Sequence, residues 1–105
     1  MSKVIDVTDE SYVDEVLGYD GPVVIDFYTP GCPPCRHMAP LVDQLAEDVD
    51  GSARVAKVNA AENRQLVADF EIRSVPTFVL VRDGVATHRH TGFVATDTFK
   101  EWIAS

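Results

Sequence analysis

The chain has few cysteines, few bases and no long apolar run. Only 2 of its 105 residues are cysteine. A domain of this size buries most of its apolar surface and needs no structural disulfide, so the pair reads as catalytic rather than structural. Lysine and arginine number 9 against 17 aspartates and glutamates, giving a net charge of −8 and a pI near 4.6. That balance argues against nucleic acid and anionic membrane as partners. No apolar stretch approaches the roughly 18 residues a membrane span needs. No basic segment followed by an apolar run opens the chain, so no signal peptide is visible and a cytoplasmic location is expected, although a domain stripped of its leader would read the same. Repeats, low-complexity segments and linkers are missing too. Residues 1–105 are therefore expected to form one domain. Hydrophobic content of 46% and charged content of 25% are those of a soluble globular protein.

The informative stretch is Cys32–Pro33–Pro34–Cys35. It follows the apolar run Val23–Val24–Ile25–Asp26–Phe27–Tyr28 and precedes a helical pattern. A cysteine pair at a strand-to-helix turn points to reversible dithiol–disulfide exchange. On a helix, residues i and i+3 lie roughly 5–6 Å apart at Cβ, and a disulfide needs Cα atoms about 4.4–6.8 Å apart. The pair can close and open without rebuilding the backbone. Backbone N–H groups and the helix dipole favour an anion at the N-terminus. The thiolate is the nucleophile, so attack is assigned to Cys32. Cys35, one turn in and more buried, is assigned the resolving role. Proline suits a first helical turn, and a residue before proline is pushed toward extended geometry. The helix is therefore expected to begin at Pro34, with Cys32 just outside it. Pro33 also removes one N–H that would face the thiolate.

Along the chain, Lys3–Asp6 reads as a strand. Thr8 caps an expected helix with Tyr12, Val13, Val16 and Leu17 on one face, ended by Gly18. Val23–Tyr28 reads as a strand covered on both faces. The next helix carries Met38, Leu41, Val42, Leu45, Ala46 and Val49 on a buried face, and Pro40 within it is expected to kink it, because the Arg36 carbonyl loses its usual donor. A strand is expected over Arg54–Val58, and a helix over Glu62–Phe70 with Leu66, Val67 and Phe70 inward. Thr77–Val81 and Val85–His90 form a hairpin about Asp83–Gly84. Thr96 or Ala95 opens a last helix that buries Phe99, Trp102 and Ile103. This alternation predicts an α/β fold, a mixed central sheet with helices on both faces.

Asp26 interrupts an apolar run. Buried, its pKa would be raised; the alternative is a carboxylate turned to solvent at a strand end. Pro76 follows Val75, and X–Pro bonds are mostly trans. His37, two residues beyond Cys35, either tunes the thiols or is simply exposed. His88 and His90 share a strand face and would complete a Cys₂His₂ set with the cysteines, but they lack H-x₃₋₅-H spacing, so no metal site is assigned.

With these features in order, the chain resembles the thioredoxin family from Val4 to Ile103. The resemblance rests on Asp26, the cysteine pair, Pro40, Lys57, the loop Ile72–Arg73–Ser74–Val75–Pro76–Thr77, Gly84 and Gly92. Gly31 and Pro33 stand where the family usually has Trp and Gly, Tyr28 replaces a common Trp, and Ala60 and Ala61 replace frequent acids. The resemblance implies a thioredoxin fold and a thiol–disulfide oxidoreductase that reduces protein disulfides. It implies that Asp26 is buried beneath the cysteines and exchanges a proton with Cys35, with Lys57 as its charge partner. It implies a cis Val75–Pro76 bond that leaves Val75 backbone groups free to hold an extended peptide by strand addition. Gly31, Pro33, Val75, Gly92 and Phe93 would form a small apolar rim for protein substrates. Electrons would come from a separate flavoprotein similar to thioredoxin reductase. No bound cofactor is implied, and a monomer is expected. The alternatives are a disulfide oxidant or isomerase, suggested by the dipeptide between the cysteines, and a non-catalytic binding or chaperone module.

Overall fold

Five consecutive residues of β2 (Val23–Tyr28) are buried, as cover on both faces of a strand requires. In the computed structural model, which describes residues 3–105, β2 is the centre of a five-stranded sheet ordered β1-β3-β2-β4-β5. Strands β1 (Ile5–Asp6) and β3 (Arg54–Asn59) run parallel to it; β4 (Thr77–Arg82) and β5 (Val85–Thr91) continue the sheet antiparallel. Side chains alternate across the sheet. Val24, Val55, Phe78 and Leu80 pack with Met38, Val42, Leu45 and Phe99 from α1 (Pro33–Asp48) and α3 (Thr96–Ala104). Val23, Ile25, Phe27, Val58 and Val79 pack on the other face with Val16 and with Leu66 of α2 (Arg64–Asp69). Each fully buried side chain of this kind contributes about 1.5–3 kcal/mol. An edge-on contact between Phe78 and Phe99, centroids 4.9 Å apart, ties α3 to β4.

The fold class is the expected one, with differences at element ends. The N-terminal helix is a π-helix, Val13–Leu17, closed by the Gly18 N–H on the Val13 carbonyl at 2.9 Å. Thr8 and Ser11 cap its approach: the Ser11 N–H donates to Thr8 Oγ1 and the Thr8 N–H to Ser11 Oγ. The wide turn spreads the apolar positions around the axis. Val16 is buried, whereas Val13 and Leu17 are 62% and 47% exposed rather than inward. A Cβ at Gly18 would lie 2.5 Å from the Asp14 carbonyl oxygen, so only glycine closes this turn. Helix α1 begins at Pro33 rather than Pro34, because the Cys32 carbonyl accepts from the Arg36 N–H at 3.1 Å and so closes the first turn around residues 33–35. It continues through Pro40, which faces solvent. Helix α2 spans six residues, shorter than expected, and Val67 and Phe70 are half-buried. Leu41, Trp102 and Ile103 are also only partly covered, packing on the edge of the core. The hairpin turns at Asp83 and Gly84, with φ of 52° and 79°, the positive pair that a two-residue hairpin needs.

This topology puts the carboxyl end of β2 and the amino end of α1 at the middle of one sheet edge. The loops before β4 and after β5 reach the same edge.

Candidate active site

The chain leaves β2 at Tyr28 and turns immediately, the Cys32 N–H reaching back to the Thr29 carbonyl at 3.3 Å. Cys32 is the N-cap of α1, extended at φ −98° and ψ 109°, as its position before a proline demands. Pro33 and Pro34 fill N1 and N2, where a missing N–H leaves no bond unmade. The first amide of the helix able to donate inward is that of Cys35, and it donates to Cys32 Sγ at 3.1 Å. The cysteines are joined as a disulfide, with Cα atoms 5.2 Å apart. Cys32 is 8% and Cys35 5% exposed. Both are buried, Cys32 slightly less than Cys35.

Two further loops close on the disulfide. The Val75 carbonyl oxygen lies 3.8 Å from Cys32 Sγ, and the Val75–Pro76 bond is cis. Pro76 itself is buried, and its carbonyl accepts from the Gly92 N–H at 2.9 Å. Gly92 has a φ of +95°, a conformation glycine adopts without steric cost. That turn presents Phe93, which is 66% exposed. His90 holds the far side of the turn, its Nε2 3.0 Å from the Phe93 carbonyl. Gly31, Pro33 and Pro34 are exposed around the disulfide, with open space where a Gly31 side chain would project.

Beneath the disulfide lies a cavity of about 170 Å³ lined by Asp26, Tyr28, Cys35, Arg36 and Lys57. Asp26 is 6% exposed, and its Oδ1 has no hydrogen-bond partner among the described residues. Burial pushes its pKa up to about 7, with Lys57 pulling the other way. Asp26, Lys57 and Asp6 stand in register across β2, β3 and β1. Lys57 and Asp26 thus share the cavity, but the ion pair that Lys57 makes is with Asp6, at 3.8 Å. The expected pairing with Asp26 is therefore an influence through the cavity rather than a contact.

The histidines go elsewhere. His37 is exposed. His88 stacks on Trp102, with centroids 5.5 Å apart. Among the described residues no group of three or more His, Cys, Asp or Glu side chains is placed to hold a metal ion. A larger cavity of about 330 Å³, lined by Tyr19, Asp50 and Arg54, sits at the opposite end of α1 and contains neither cysteine.

Sequence reasoning passed over Arg36 and weighed His90 only as a metal ligand. Arg36 lines the cavity and donates to the Pro30 carbonyl at 3.3 Å; its place directly after Cys35 was the available signal. His90 is brought to the site only by the turn after β5, which nothing local in the sequence announces.

The family model described as Thioredoxin matches residues 3–105. Thioredoxin 1 of Nostoc sp. is 40% identical over 103 residues, covering 98% of this chain and 96% of that one. Thioredoxin of Porphyra purpurea is 38% identical over 100 residues, 95% and 94% of the two chains. Thioredoxin of Pseudomonas aeruginosa is 38% identical over 81 residues, 77% and 75% of the two.

Proposed function

The chain belongs to the thioredoxin family of thiol–disulfide oxidoreductases, and from that premise we propose that it reduces disulfides of protein substrates through the Cys32–Cys35 dithiol. The observation that carries this reading is Cys32 at the amino end of α1, closed on Cys35 one turn away and bordered by the Val75 carbonyl.

In the forward step the Cys32 thiolate attacks one sulfur of the substrate disulfide. A mixed disulfide forms, and the first substrate thiolate leaves and is protonated. Cys35 then gives up its proton and attacks Cys32 Sγ. The Cys32–Cys35 disulfide forms, the second substrate thiol is released, and two electrons have passed to the substrate. Asp26 takes the Cys35 proton across the cavity they share, and Lys57 tunes the charge of Asp26 from the same cavity. The amide of Cys35 supports the developing charge on Cys32. A substrate segment lies along Val75 and contacts Gly31, Pro33, Gly92 and Phe93; cis Pro76 shapes the loop beneath it. The dithiol is regenerated by a thioredoxin-reductase-like flavoprotein. The protein acts as a monomer of one domain over residues 1–105. A cytoplasmic setting fits the demand for a reduced pool; among the described residues no helix is long and apolar enough to cross a membrane.

The test is the equilibrium potential of the Cys32–Cys35 couple in dithiol buffers of known poise. A value near thioredoxin's, about −270 mV, supports the reductant. A value near about −180 mV or higher makes the chain an oxidant or isomerase, the alternative raised by the departure of the dipeptide between the cysteines from the family pattern. Replacing both cysteines with serine separates catalysis from a chaperone role: disulfide reduction is lost, whereas suppression of aggregation would persist in a binding module.

A further inference from the structure

Three stretches of chain meet at the disulfide. Residues 28–41 carry both cysteines, residues 72–77 bring the Val75 carbonyl to 3.8 Å from Cys32 Sγ, and residues 89–96 join them through the Gly92 N–H on the Pro76 carbonyl. Together they contain Arg36, Arg73 and Arg89 and no aspartate or glutamate. All 17 acidic side chains lie elsewhere, with the other six of the nine basic ones. Arg36 lines the cavity beside Cys35 and Arg73 lies two residues from the Val75 carbonyl that borders Cys32, so the segments bordering the disulfide carry net positive charge on a molecule whose net charge is −8.

None of the three arginines is cancelled by a carboxylate among the described residues. Arg73 is exposed and makes no hydrogen bond or ion pair among the described residues. Glu71, two residues before it, forms no ion pair with it. Arg36 and Arg89 spend N–H groups on the carbonyls of Pro30, Phe70 and Glu71, neutral acceptors that leave the positive charge in place. The bases that do pair with carboxylates, Lys3, Arg54, Lys57 and Lys100, all lie outside the three stretches.

On the oxidoreductase reading above, on which this rests, we infer that the face around Cys32 docks an acidic segment of the partner protein, with carboxylates flanking the cysteine that Cys32 engages. Complementary charge speeds encounter and fixes register. The arrangement also works by repulsion. An acidic partner is turned away by the rest of this surface and attracted only where the disulfide is. A basic partner is held on faces that carry no sulfur.

The experiment uses the pre-reduced protein and three oxidised probes. These are a peptide with one internal disulfide flanked by glutamates, its lysine-flanked counterpart, and neutral 2-hydroxyethyl disulfide. Reactions are quenched in acid, and the reduced products are separated by chromatography. The neutral probe reads the reactivity of the thiols, and each peptide rate is divided by it. We expect Arg73→Glu to lower the glutamate-to-lysine rate ratio by about tenfold or more at low salt, within the range that steering spans. Arg73→Gln should give about half that effect on a logarithmic scale, and added salt should shrink the wild-type ratio. Intrinsic differences between the peptides cancel when wild type and variant are compared. A ratio that neither variant changes overturns the inference and leaves the oxidoreductase standing. Failure to reduce any of the three probes overturns both. Sedimentation velocity covers the other occupant: self-association of wild type that Arg73→Glu abolishes would assign this face to the acidic surface of a second copy, and would overturn it as well.

Discussion

Asp26 is where burial and chemistry meet most directly. Its carboxyl is enclosed, one oxygen has no donor among the described residues, and removal from water pushes its pKa from the ordinary 3.8 to about 7. The folded state therefore holds a proton that the unfolded chain releases between about pH 4 and 7. Stability falls as pH rises through that window, and the whole loss is present above it. At 1.36 kcal/mol per unit, a shift of this size corresponds to a loss on the order of 4 kcal/mol. Asp26→Asn should make the pH dependence of urea unfolding nearly flat from pH 4 to 8. At pH 8 it should be more stable than wild type by roughly 2–4 kcal/mol. The same variant should reduce substrates more slowly and lose the inflection near neutral pH; an unchanged profile would remove Asp26 from proton transfer. Cys35→Ser tests the other half of the assignment. Mixed disulfides through Cys32 should accumulate on a substrate that wild type turns over, visible as a mass shift lost on adding dithiothreitol. Their absence would reverse the roles of the two cysteines.

At the scale of elements, the sheet edge that carries the site depends on turns as much as on strands. The β4–β5 hairpin places residues 89–96, and its turn uses positive φ at both Asp83 and Gly84. A Cβ at Gly84 would meet only Leu17 Cδ2, at 3.7 Å, so the cost of substitution is conformational rather than steric contact. Gly84→Ala should lower stability by about 1–2 kcal/mol, or roughly 4–8 °C in Tm per kcal/mol, with kcat/KM unchanged because the turn is at the opposite end of β4 and β5 from the disulfide. A loss of activity in excess of the loss of folded protein would show that the hairpin transmits to the site. The N-terminal π-helix gives a contrasting lesson. Its apolar residues have helical spacing, but one extra residue in the turn sends Val13 and Leu17 to solvent.

The whole molecule is small against its own field. Its extents are 29 × 28 × 26 Å, about one Debye length at 0.01 M salt, so every carboxylate feels the others in dilute buffer. Against a net charge of −8 the ion pairs of Lys3, Arg54, Lys57 and Lys100 are partly or largely exposed, and such pairs contribute about 0–1 kcal/mol each. Screening should therefore remove more repulsion than attraction. Tm is expected to rise by several degrees between about 0.01 M and 0.5 M sodium chloride, where the Debye length falls to a few ångströms. A Tm that falls with salt would mean the ion pairs outweigh the net repulsion.

What the sequence determined by itself was local. The spacing of Cys32 and Cys35, the prolines that suit the first turn of α1, the apolar run of β2 and the Asp83–Gly84 turn all act over a few residues. Propensity and period are strong at that range. The site around the disulfide needed the tertiary structure, because its parts are far apart in the chain. Val75 reaches Cys32 across 43 positions, and Gly92 reaches Pro76. Lys57 was legible as a neighbour of Asp26 through the family resemblance. Its ion pair with Asp6 was not, because β1 joins β3 on the side away from β2. The gathering of Arg36, Arg73 and Arg89 on the segments that meet at the disulfide is likewise invisible in a composition that is acidic overall. Charge becomes a surface property only once the chain is folded, because proximity in space decides which charges cancel.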